Sequence, residues 1–130
     1  MSRHTVREGF FYTKGDTWAH READGSIRMG ITDYAQIQLK EIEYLDLAAE
    51  GDEVTQNESL GEVESKKAVS EMLSPLTGVI GSVNESAVDT PGLLNKDPYG
   101  EGWIVTIECD DYDSQVQNLM DAAAYAAYRA

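Results

Sequence analysis

Short apolar stretches that alternate with polar residues and end at turn residues fill the first 110 positions of the chain. In the segment 41–47, for example, Ile42 and Tyr44 alternate with Glu41 and Glu43. Alternation with a period of two places one side of each strand in a core, whereas βαβ units would show helical periods between the strands. The pattern therefore predicts a mainly β, antiparallel fold.

The turn residues between these stretches divide the chain into elements. They predict a hairpin over 9–13 and 18–21, further strands over 26–31, 41–47, 59–64, 69–73, 79–83 and 103–108, and a long loop over 91–102. Thr32 or Asp33 is suited to cap a short helix that ends near Leu39, after the third strand. Helical spacing of apolar residues predicts a C-terminal helix over about 113–127, with an apolar face of Val116, Leu119, Met120, Ala123, Ala124 and Ala127. We expect one domain over 1–130 with a core over about 10–110.

The charge of the chain excludes several classes of partner. With 24 acidic and 10 basic residues, the net charge is −14, which repels nucleic acids and anionic membranes. Cys109 is the only cysteine and the chain has only two histidines, so neither an internal disulfide nor a structural zinc site is expected, and we assign Cys109 no role. No signal-like or membrane-spanning apolar segment is evident, which favours a cytoplasmic protein.

The turn Ser65-Lys66-Lys67-Ala68 lies between two predicted strands and is unusual in composition. It contains no Gly, Pro, Asn or Asp, so ordinary hairpin chemistry does not explain it. A lysine at an exposed hairpin tip is what a modifying enzyme needs, because the ε-amine must enter a foreign active site. From position alone, a solvated hairpin lysine remains the simpler interpretation.

The segment 61–78 resembles the lipoyl-lysine hairpin of the glycine cleavage system H-protein family. The matching residues are Glu64, Ser65, Lys67, Ala68, Ser74, Pro75 and Gly78. Similarity extends over roughly residues 10–127 and includes 12–14, Trp18, 30–35, 93–95 and 97–103. The resemblance implies a lipoyl-domain-like barrel-sandwich hybrid, with lipoic acid held on Lys67 as N6-lipoyl-lysine. It also implies that Glu64, Ser65, Ala68 and Gly78 form the hairpin and are recognised by the ligase.

A protein of this kind is a non-catalytic carrier within a multienzyme system, and the lipoyl group supplies the chemistry. The resemblance implies a lipoate ligase or lipoyl transferase and dihydrolipoamide dehydrogenase as partners. In the glycine cleavage system, glycine decarboxylase loads an aminomethyl group and an aminomethyltransferase removes its carbon.

Some residues depart from the family pattern. Gly15-Asp16-Thr17 replaces an acidic-His-Glu block near the resting cleft of the arm, Lys66 replaces a small apolar residue, and Ala48 stands where proline is customary. These changes resemble H-like lipoate-binding proteins of sulfur oxidation, which serve a heterodisulfide-reductase-like complex. We therefore favour that role from the sequence, with the glycine cleavage H protein as the alternative.

Three other readings explain less of the sequence. An unmodified acidic interaction domain accounts for the charge and the fold but not for the whole hairpin segment. A biotin carrier usually has its target lysine between methionines, unlike Lys67. An independent enzyme is least favoured, because the chain shows no recognisable base, nucleophile or metal site.

Overall fold

Two antiparallel β-sheets dominate the computed structural model, which describes residues 3–130. The strands are β1 (Phe11–Tyr12), β2 (Thr17–Arg21), β3 (Ile27–Ile31), β4 (Ile42–Leu47), β5 (Glu53–Val54), β6 (Ser59–Ser65), β7 (Val69–Leu73), β8 (Gly78–Val83) and β9 (Val105–Glu108). One sheet has the order β1-β2-β3-β9-β8-β5, and the other has the order β4-β6-β7. The predicted mainly β, antiparallel fold is confirmed.

Helices are short and lie between or after the strands. They are α1 (Asp33–Leu39), α2 (Glu85–Asp89), α3 (Leu93–Lys96), α4 (Tyr112–Gln115) and α5 (Ala122–Tyr128), with a 3₁₀ turn at Val116–Asn118. Helix α1 begins where the sequence predicts, because the Thr32 side chain accepts a hydrogen bond from the Ala35 N–H. No helix within residues 3–130 is long and apolar enough to cross a membrane.

The inner faces of the two sheets share one hydrophobic core. Met29 and Ile107 from the larger sheet belong to the same buried cluster as Leu45, Val63 and Met72 from the smaller one. Each fully buried aliphatic side chain of this size stabilises the fold by about 1.5–3 kcal/mol. The smaller sheet is therefore held firmly against the larger one, and its outer face points away from the core.

The region between β8 and β9 is more helical than predicted. The predicted loop over 91–102 contains α3, and α2 precedes it. Asn84 stabilises this region, since its side-chain amide donates to the carbonyls of Glu101 (2.9 Å) and Trp103 (2.7 Å). These helices are only four and five residues long, which is too short for an apolar period to show in the sequence.

The predicted C-terminal helix is present, but it is shorter than the expected 113–127. Leu119 is extended, and Met120 exchanges two backbone hydrogen bonds with Tyr12 of β1, at 2.8 and 2.9 Å. Pairing with this edge strand interrupts the helix, which resumes as α5. The predicted apolar face is wrong in α5, since its buried residues are Ala122 and Tyr125.

Tyr125 anchors α5 because its large ring buries more apolar area than the alanines do. The ring stacks on Tyr12 at 4.4 Å between centroids. Its hydroxyl donates to Asp16 Oδ1 (2.8 Å) and accepts from Thr32 Oγ1 (2.8 Å). The Arg129 guanidinium donates to both oxygens of Asp16, at 2.9 and 2.7 Å, and closes the anchor.

Buried tyrosines predict how the fold responds to alkali. Burial raises the pKa of Tyr12 to about 12, and burial also raises the pKa of Tyr99 and Tyr125 above the ordinary value. An unfolded chain releases these protons near pH 10, whereas the folded chain keeps them. Stability should therefore be intact below about pH 10 and fall as the pH rises through 12.

A titration followed by tyrosinate absorbance and circular dichroism tests this expectation. Ionisation of the buried Tyr12, Tyr99 and Tyr125 should coincide with loss of the β-sheet signal above about pH 10. Retention of the β-sheet signal after these three tyrosines have ionised would contradict the account.

Candidate functional site

The lysine turn connects β6 and β7 at one end of the smaller sheet. Glu64 pairs with Val69 and Val63 pairs with Ser70, so two strands support the turn directly. On the other side of β6, Ile42 of β4 pairs with Ser65. The turn is therefore held by all three strands of the sheet.

Ser65 forms the turn with its side chain as well as its backbone. It is 5% exposed, and its N–H donates to the Ala68 carbonyl at 2.8 Å. The hydroxyl oxygen accepts from the N–H groups of Lys67 and Ala68, both at 3.1 Å, and donates to the Ala68 carbonyl at 3.3 Å. These bonds replace those that Asn or Asp would supply, which explains the unusual composition of the turn.

Lys66 and Lys67 differ in their electrostatic surroundings. The Lys66 ammonium lies 3.3 Å from a Glu41 oxygen and 3.9 Å from a Glu43 oxygen. Lys67 is exposed, and its Nζ lies 3.5 Å from the Gln38 carbonyl, with no ion pair to any residue in 3–130. The ε-amine of Lys67 is therefore the one that an external active site reaches without breaking an ion pair.

Asn95 braces the start of β4 beside the turn, a role that the sequence reading did not assign. Its Oδ1 accepts from the Ile42 N–H at 3.0 Å, and its Nδ2 donates to the Lys40 carbonyl at 2.5 Å and to Gln36 Oε1 at 3.0 Å. One side chain thus ties α1 to β4. The position of Asn95 after two leucines is part of the matched segment 93–95, but nothing in the sequence alone connects it to the lysine turn.

The structure brings four of the five predicted site residues together. Glu64, Ser65, Lys67 and Ala68 lie in or beside the turn, and Glu64 is exposed between Tyr44 and Val69 on the neighbouring strands. Gly78 does not join them, because it lies in the other sheet, where it pairs with Val54.

β9 approaches so closely at Gly78 that only glycine fits at this position. A Cβ atom at this position would collide with the Glu108 carbonyl oxygen and would lie 3.0 Å from the Ile107 side chain. Any larger residue therefore forces β8 and β9 apart. The structural reason for glycine is thus packing between two strands of the larger sheet.

Asp16 and Thr17, the two residues before Trp18, stabilise the fold. The Asp16 carboxylate accepts hydrogen bonds from Arg129 and Tyr125, and the Arg129 guanidinium compensates its charge. Thr17 Oγ1 accepts from Thr13 Oγ1 at 2.7 Å and donates to the Leu73 carbonyl at 2.7 Å.

Cys109 is half-buried beside a cleft that is also lined by Asp110, Asp111 and Gln115. Burial raises the pKa of its thiol, and the neighbouring carboxylates add to that effect. A thiol with a raised pKa is a poor nucleophile at neutral pH. Residues 3–130 contain no cluster of acidic, His and Cys side chains that could hold a metal ion.

Replacing Ser65 with alanine should destabilise the turn. The variant leaves the Lys67 and Ala68 N–H groups without their acceptor, and we expect a loss of about 1–2 kcal/mol in the free energy of unfolding. Ser70→Ala is the matched control, because Ser70 is exposed and the only hydrogen bond that its side chain makes within residues 3–130, at 3.4 Å, is long. Urea denaturation measures both. Equal stability of the two variants would remove the structural role of the Ser65 hydroxyl.

Comparisons with known proteins agree with this architecture. The family model described as glycine cleavage H-protein matches residues 10–130. A probable glycine cleavage system H protein from Thermococcus gammatolerans is 44% identical, over 98% of this chain and 95% of the relative. A glycine cleavage system H protein from Anaeromyxobacter sp. is 46% identical, over 95% of this chain and 94% of the relative. The crystal structure of a glycine cleavage system H protein from Mycobacterium marinum superposes with a TM-score of 0.82 at 33% identity, covering 95% of this chain and 98% of that one. The chain therefore belongs to the glycine cleavage H-protein family.

Proposed function

We propose that this protein is a carrier that holds a lipoyl group in amide linkage on Lys67 and serves the glycine cleavage system. The observation that carries the proposal is the turn itself, in which the buried Ser65 hydroxyl holds an exposed lysine whose amine is free of ion pairs among residues 3–130. When bound, the lipoyl group supplies a disulfide that accepts a group on one sulfur and is restored by thiol–disulfide exchange.

Charge favours Lys67 over Lys66 as the attachment point. Amide formation removes the positive charge of the lysine. At Lys66 this loss would leave Glu41 and Glu43 close together without their shared cation, whereas Lys67 has no such partner. The chain can therefore accept the group at Lys67 with little electrostatic cost.

The relatives support the glycine cleavage reading over the sulfur-oxidation reading that the sequence departures favoured. The matched proteins from Thermococcus gammatolerans and Anaeromyxobacter sp. carry the glycine cleavage name. Asp16 and Thr17, which suggested the sulfur role, stabilise the fold of this chain, since Asp16 binds Arg129 and Thr17 binds the Leu73 carbonyl. Their identity is therefore weak evidence about the cargo.

The proposed partners follow from this cycle. A lipoate ligase or lipoyl transferase attaches the group, and glycine decarboxylase, the aminomethyltransferase and dihydrolipoamide dehydrogenase use it in turn. Lys67 extends from the end of a braced sheet, so each enzyme can receive the same arm without rearrangement of the carrier.

Lipoylation should be confined to Lys67. Protein incubated with a lipoate ligase, lipoate and nucleoside triphosphate should gain one lipoyl group, placed on Lys67 by peptide mass mapping. Lys67→Arg should abolish the gain, whereas the matched control Lys66→Arg, which keeps the charge beside Glu41, should retain it. If the Lys67→Arg variant gained a lipoyl group on Lys66, the attachment site would be misassigned.

Exchange of labelled bicarbonate into glycine tests the pathway. Lipoylated protein should stimulate this exchange by purified glycine decarboxylase at least tenfold over the unlipoylated form, because only the former offers a sulfur acceptor. The Lys67→Arg variant is the control. Full lipoylation without stimulation would separate the carrier function from the glycine cleavage role and reject the latter.

A further inference from the structure

The outward side of the three-stranded sheet adjoins the lysine turn and is uncovered in the part of the chain that the structure describes. Two rows of residues directly opposite one another form it: Tyr44, Glu64 and Val69 next to the turn, then Asp46, Glu62 and Glu71. All six are exposed. We call these six residues the outer face.

Apolar groups flank the turn on this face. Tyr44 is 58% exposed and Val69 is 55% exposed, which makes them two of the three large hydrophobic residues exposed within 3–130. They lie on either side of Glu64, on the two edge strands of the sheet. Exposed apolar side chains rimmed by polar residues mark contact surfaces, and Tyr44 and Val69 have acidic residues beside them on this face.

Like charges lie directly opposite one another in the second row. Glu62 on the central strand faces Asp46 on one side and Glu71 on the other. None of the three forms an ion pair with a residue in 3–130. Like-charged residues directly opposite one another destabilise a sheet, so this row lowers the free energy of unfolding of the free protein.

We propose that the outer face is the docking surface for the enzyme that attaches the lipoyl group. The occupant is a protein surface with cationic side chains opposite the Asp46, Glu62 and Glu71 row and a shallow apolar contact for Tyr44 and Val69. This inference rests on the proposed modification of Lys67.

The short length of the unmodified Lys67 side chain favours the attaching enzyme over the other proposed partners as the one that binds the outer face. Before modification, the Lys67 side chain extends only about 6 Å from the backbone, so the enzyme must touch the neighbours of Lys67. The second row begins about 7 Å beyond Glu64, at a rise of about 3.3 Å per residue, and lies within such a footprint. Enzymes that act on the finished arm can stand farther away.

The reaction itself needs an activated lipoyl donor with a good leaving group. The unprotonated amine of Lys67 attacks the acyl carbon and a C–N bond forms, the leaving group departs with the electron pair of its bond to that carbon, and the nitrogen gives one proton to solvent. The outer face takes no part in these steps. It lowers the free energy of the complex in which they occur, and it should act on association.

Neutralising the row should move stability and docking in opposite directions. Glu62→Gln/Glu71→Gln removes the repulsion, so Tm should rise by about 2 °C. The same variant should lose about fivefold in kcat/KM for lipoylation at low salt, and the decline of kcat/KM with added salt should become shallower. Glu85→Gln/Asp89→Asn, which changes two exposed acids of α2, is the matched control and should leave rate and salt dependence unchanged.

Tyr44→Ser tests the apolar contact separately. It should lower kcat/KM about threefold at every salt concentration without changing the salt slope, because the lost contact is uncharged. Unchanged kcat/KM and slope in both outer-face variants, with Lys67 fully lipoylated, would overturn the docking inference alone. Absence of lipoylation in the unaltered protein would overturn the proposed function and, with it, this inference.

Discussion

The hydroxyl of Ser65 is the interaction on which the presentation of Lys67 depends. Alternation along β6 turns Ser65 inward, where it is 5% exposed and can accept two backbone N–H groups of the turn. Its two acceptor bonds and one donor bond use the full capacity of a hydroxyl. The tip therefore needs neither glycine nor proline, and Lys66 and Lys67 are free to serve purposes other than turn formation.

Charge then gives the two lysines different roles. Lys66 is shared by Glu41 and Glu43 and ties the tip to the start of β4, while Lys67 extends outward without an ion pair in the described chain. Such exposed pairs contribute at most about 1 kcal/mol each, so the bias is modest. Together with the fixed backbone, it makes Lys67 the lysine that an enzyme meets first.

The sequence predicted well where alternation controls the structure and poorly where long-range pairing does. The predicted strands on both sides of the lysine turn agree with the structure to within one residue, because apolar and polar residues alternate along them and show which side faces the core. The C-terminal helix was predicted too long, because no local pattern shows that Met120 pairs with Tyr12. In the site, the family pattern identified Lys67, but the bracing by Asn95 depends on contacts more than fifty positions apart.

Backbone ¹⁵N relaxation at the lysine turn tests the central claim most directly, which is that a buried hydroxyl makes the tip as rigid as the sheet. The Lys67 and Ala68 amides donate to Ser65 Oγ, so their order parameters should match those of β6 and β7, at about 0.85. Values below about 0.6 at these two amides, with the strands themselves rigid, would show that the turn is mobile and that Ser65 does not hold Lys67 in place.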